Sequence, residues 1–157
     1  MPENFVVRRE IQISAPPATV FAFLTDPRKI VSWMGTESET DPQPGGIYLL
    51  KGIGRGDRTV RGAFREVVPV HRLAYSFGWV DDEDVPPESS LIEIDLIDCD
   101  GGTLLRMVHR GLPSEKSCAD HAAGWAHYFG RLPLWLRART PALIRGRRRR
   151  RRVEGFR

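Results

Sequence analysis

The chain has 157 residues, 41% of them hydrophobic and 28% charged, which suits one globular domain with a real core and excludes global disorder. Its net charge of +4 divides unevenly: residues 137–157 hold ten arginines and one glutamate, leaving fourteen basic and nineteen acidic side chains, a net −5, on residues 1–136. The sequence therefore reveals no basic face for nucleic acid on the body.

Residues 5–14 open with a period of two. Phe5, Val7, Ile11 and Ile13 fall on one side and Arg8, Glu10 and Gln12 on the other, which predicts a half-buried strand. Ser14-Ala15-Pro16-Pro17 breaks it, and proline suits the first turn of a helix. Val20, Phe21 and Leu24 then recur at helical spacing until Asp26-Pro27 stops them. A second short helix is expected over residues 28–33, with Ile30, Trp33 and Met34 on one stripe.

From Gly35 to Arg110 strands replace helices. Residues 47–53, 59–68, 73–80, 91–99 and 103–110 read as strands, with hairpin tips at 54–57 and 100–102. Leu73, Tyr75, Phe77 and Trp79 share one face, as do Leu105, Met107 and His109. The acidic, proline-bearing loop 81–90 is expected to lie in solvent. Trp125, Tyr128, Phe129, Leu132, Trp135 and Leu136 then follow helical spacing, predicting a final helix of about 20 residues with Ser117 as N-cap and Asp120 in its first turn. Pro133 should kink that helix or end its regular part near Leu132. So aromatic a helix needs a concave partner. The expected fold is α+β: a curved antiparallel sheet of about seven strands around a long C-terminal helix, with two short helices after the first strand. A single domain is expected over residues 1–140, with a basic, disordered tail at 141–157.

No apolar run approaches the roughly 18 residues of a membrane span. Met1-Pro2-Glu3-Asn4 does not resemble the start of a signal peptide. Two cysteines, Cys99 and Cys118, make neither a disulfide framework nor a metal motif. A reduced, cytoplasmic protein without metal or cofactor is expected.

Several segments carry a family resemblance. Ile13-Ser-Ala-Pro-Pro-Ala-Thr-Val20-Phe-Ala-Phe-Leu24-Thr-Asp26-Pro27 followed by Trp33, then Pro44-Gly45-Gly46, Gly62 through Pro69 into Arg72-Leu73, Gly102-Thr103 through Leu112, and His121-Ala-Ala-Gly124-Trp125 stand in order at fitting spacings. Together they resemble homologues of the activator of heat-shock protein 90 ATPase, of the START-like or SRPBCC superfamily of helix-grip proteins. The resemblance covers roughly residues 5–136 and implies a helix-grip fold with a pocket for a hydrophobic small molecule. In that family co-chaperone activity belongs to longer proteins with an additional N-terminal domain.

The chemistry legible in the residues is sparse. There is no Gly-x-Ser-x-Gly, no cysteine–histidine spacing and no phosphate-binding glycine loop; Gly52, Gly54 and Gly56 belong to a hairpin. His109 shares a face with Leu105 and Met107, where it would either direct one hydrogen bond to a ligand or satisfy a neighbouring loop. His121 lies one turn before Trp125 and would face His109 or simply pack. The expected ligand-binding set is Trp33, Tyr75, Phe77, Met107, His109, His121, Trp125 and Phe129, holding a small apolar or aromatic molecule between sheet and helix. The alternatives are a cyclase- or aromatase-like enzyme acting on a polyketide-like substrate, and a chaperone or nucleic-acid interaction module. Six consecutive arginines, Arg147 through Arg152, would attract an anionic partner, nucleic acid or membrane, with affinity that falls with salt.

Overall fold

Alternation in the first strand survives in the computed structural model, which describes residues 5–139. Strand β1 (Val7–Ile13) buries Val7 and Ile13 and exposes Arg8, Glu10 and Gln12. Helix α1 (Pro17–Thr25) begins at a proline and gives way at Asp26, whose carboxylate accepts the Arg28 amide at 2.9 Å and starts helix α2 (Pro27–Ile30). That second helix is shorter than residues 28–33.

Strand β2 (Glu37–Thr40) has no counterpart in the hydrophobic pattern. It pairs with β3 (Ile47–Ile53) and is tied from below. Ser38 Oγ donates to the Pro27 carbonyl and Thr40 Oγ1 to the Thr25 carbonyl, each at 2.6 Å. Strands β4 (Arg58–Val68), β5 (Arg72–Phe77), β6 (Ser90–Cys99) and β7 (Gly102–Arg110) complete a seven-stranded sheet of order β1-β7-β6-β5-β4-β3-β2. Every pairing is antiparallel, and β1 closes on β7 with Val7 opposite His109.

One sheet face carries Ile13, Leu50, Phe64, Leu73, Tyr75, Ile92, Ile94, Leu105 and Met107, all buried. Helix α3 (Glu115–Arg139) brings Trp125, Phe129, Leu132 and Leu136 into the same core. On the outside, Arg72 binds Glu66, Glu93 and Asp95, and Arg110 binds Glu93. The fold is thus the expected helix grip.

Further details differ from the sequence reading. Ser114, not Ser117, caps α3: its Oγ accepts the Ser117 amide at 3.1 Å. The helix also runs through Pro133 to Arg139. The lost backbone bond is outweighed because Leu132 and Leu136, on either side of the proline, are fully buried, each worth about 1.5–3 kcal/mol. Finally, the loop after β5 lies in solvent along most of its length, as expected, but it is ordered around one buried side chain, Val85. Asp82 Oδ1 accepts the amides of Asp84 and Val85, the Trp79 amide donates to the Val85 carbonyl, and Val85 is buried. Trp79 consequently leaves the strand and makes a lone bridge to Val60. The basic segment 141–157 lies outside the described residues.

Candidate functional site

A cleft of about 720 Å³ opens where β3, β4 and the loop after β5 face the N-terminal half of α3. Register builds its floor. Leu50 stands opposite Val60 and Tyr48 opposite Gly62, so the inward positions of β3 and β4 meet Phe77 of β5 and Trp125 of α3. Gly62 permits a close approach of strands, since a Cβ there would lie 1.7 Å from the Ser76 carbonyl oxygen. Tyr48 stacks on Tyr75 at 4.0 Å between ring centroids, and burial pushes the Tyr48 hydroxyl up to about 12. Around this apolar floor runs a charged mouth of Arg55, Arg58, Asp82, Asp84, Lys116 and Asp120.

Two histidine–tryptophan pairs form the wall beneath α3. An indole N–H can only donate, which settles both tautomers. Trp125 Nε1 donates to His109 Nδ1 at 3.0 Å, so the His109 proton sits on Nε2. That Nε2 donates to Ser90 Oγ at 2.9 Å, and Ser90 donates to the Phe77 carbonyl at 2.7 Å. In the second pair Trp79 Nε1 donates to His121 Nε2 at 3.0 Å, and His121 Nδ1 donates to the Ser117 carbonyl at 2.7 Å. The imidazoles stand nearly perpendicular, 5.1 Å between centroids.

Both rings are neutral. Burial pushes His109 down to about 3, and the neighbouring His121 adds to the effect. Burial also lowers His121, against the opposing pull of the Ser117 carbonyl. With both nitrogens of both rings engaged, neither imidazole has a free lone pair for a substrate proton. Among the described residues, no group of three histidine, cysteine, aspartate or glutamate side chains is placed to hold a metal.

The structure divides the expected site residues into two shells. Phe77, His121 and Trp125 line the cleft. Trp33, Tyr75, Met107, His109 and Phe129 lie in the core behind it, where Trp33 stacks on Phe129 and Phe129 on Trp125. The sequence reading left out Tyr48, Leu50, Val60, Trp79 and Tyr128, which also line it. The period-two alternation of β3 and β4 is the signal that would have placed Tyr48, Leu50 and Val60 on this face.

The family described as activator of Hsp90 ATPase homolog 1-like protein matches residues 14–136. An AHSA1-like protein from Rhizobium etli is 58% identical, with 96% of this chain and 94% of that chain covered and a TM-score of 0.69. A protein from Mesorhizobium loti is 25% identical over 86% of this chain and 98% of its own, with a TM-score of 0.74. DynU16, from the dynemicin biosynthetic locus, is 25% identical over 88% of this chain but 49% of its own, with a TM-score of 0.73. No curated protein matches the chain. No helix among the described residues is long and apolar enough to cross a membrane.

Proposed function

The chain belongs to the family of activator of Hsp90 ATPase homolog 1-like proteins, and on that premise we propose that it is a non-catalytic binding protein for a small apolar or aromatic molecule. The observation that carries this reading is the cleft of about 720 Å³ with a floor of Tyr48, Leu50, Val60, Phe77 and Trp125. That volume falls within the range of roughly 300–1,000 Å³ common for small-molecule pockets. Phe77, His121 and Trp125 meet the ligand in this reading. Trp33, Tyr75, Met107, His109 and Phe129 hold those groups in place from behind. The engaged nitrogens of both histidines favour binding over a cyclase- or aromatase-like reaction. Residues 1–140 form the binding domain, and the arginines after it form a separate basic attachment for an anionic partner.

The test uses uncharged phenylnaphthylamine, an environment-sensitive apolar dye. Stoichiometric binding should quench tryptophan emission and shift amide resonances around Leu50, Val60, Phe77 and Trp125. Absence of binding, or shifts confined to surfaces away from the cleft, would rule the reading out.

A further inference from the structure

The mouth carries three cations and three carboxylates, and the way they pair bears on what the cleft accepts. Arg58 is bonded to Asp82 at 2.6 Å and lies over the Trp79 ring at 4.2 Å. Lys116 is bonded to Asp120 at 2.9 Å, and Asp84 also acts on it, so both acidic neighbours raise its pKa. Arg55 makes no hydrogen bond or ion pair with any described residue. It stands at the tip of the β3–β4 hairpin, between Gly54 and Gly56, both in the left-handed region at φ +66° and +82°. The tip is held against α3 because Gly54 N–H donates to the Tyr128 hydroxyl at 2.9 Å. An unmatched guanidinium is thereby placed at the rim of an apolar cleft whose other cations are already neutralised.

We infer that the ligand is an amphipathic anion: an apolar or aromatic body on the floor, ending in a single oxyanion group that Arg55 takes at the mouth. This rests on the binding reading above and narrows its ligand class. Guanidinium presents paired N–H donors that match a carboxylate, sulfonate or phosphate ester, and its charge strengthens those bonds. A ligand ending in a cation would find Asp82 and Asp120 already paired, leaving Asp84, whose charge already acts on Lys116. A ligand without charge would leave Arg55 unused.

The experiment compares anilinonaphthalene sulfonate with uncharged phenylnaphthylamine, which share one aromatic skeleton and differ in the sulfonate. Arg55→Gln should weaken the sulfonate dye by about tenfold and change the uncharged dye by less than about twofold, the scale of one charge-assisted hydrogen bond. Arg55→Lys should recover part of the loss, because it restores the charge without the fork. Raising the salt concentration should weaken the sulfonate dye alone. Equal loss of both dyes, or an unchanged sulfonate affinity in Arg55→Gln, would overturn the inference. If the uncharged dye fails to bind the wild-type chain, the binding reading itself falls. If it binds and only the Arg55 effect is missing, the cleft stands and its anion preference does not.

Discussion

Acid should weaken this fold through His109, and the size of the effect can be worked from its surroundings. In the unfolded chain an ordinary histidine takes up a proton near pH 6.5; in the folded chain His109 resists until about 3. Between those values the unfolded state holds a proton that the folded state lacks. Stability present above pH 6.5 is therefore lost as the pH falls, at about 1.4 kcal/mol per pH unit for one such group. From pH 7 to pH 4.5 the loss from His109 comes to roughly 2–3 kcal/mol. His121 is lowered too and adds in the same direction. Asp82, held low by the Val85 amide, and Glu93, held low by Arg110 and Arg72 against its burial, contribute only at more acidic pH. His109→Asn isolates the term, since its Oδ1 offers Trp125 an acceptor and does not titrate. Urea unfolding of both proteins across this range should show the variant losing less stability by that amount. A gap between the two that stays constant with pH would refute a neutral, buried His109.

Two further substitutions probe the supports of the cleft. Gly62→Ala drives a methyl group into the Ser76 carbonyl; a loss of about 3 kcal/mol or more in urea unfolding is expected, and a stable variant would show that β4 and β5 can part there. Tyr128→Phe removes the acceptor of the Gly54 amide; hydrogen exchange at Gly54 should quicken with a global cost of about 0.5–1.5 kcal/mol, and unchanged exchange would mean the tip is held otherwise.

Alternation and helical spacing carried the long strands, the two N-terminal helices and α3, because each buries one face. They missed β2, since Glu37-Ser38-Glu39-Thr40 has no apolar side and is held by backbone pairing and by hydroxyl bonds to residues before it. The site was legible in part. The period of two says which face of a strand a residue occupies but not how deep it lies along the sheet. His109, Met107 and Phe77 all face inward, yet only Phe77 borders the cleft. Depth follows from strand register and from where α3 crosses, and neither is written in one segment. That His109 would be satisfied within the chain was one of its two readings, but its partners were hidden, because Ser90 and Trp125 reach it from other elements.

The pairing of β1 with β7 has a consequence for how the chain comes together. Val7 lies beside His109, so among the described residues the first strand closes against the last. Contacts of that separation are slow to form, because the entropy of joining distant segments is lost before the contacts reward it. During synthesis β1 emerges with its backbone edge unpaired and stays so until β7 has left the ribosome, and its apolar face waits longer still, for α3. The β3–β4 and β6–β7 hairpins, by contrast, pair neighbours. The cleft floor on β3 and β4 can take shape early, while its roof waits for α3, the last described element of the chain.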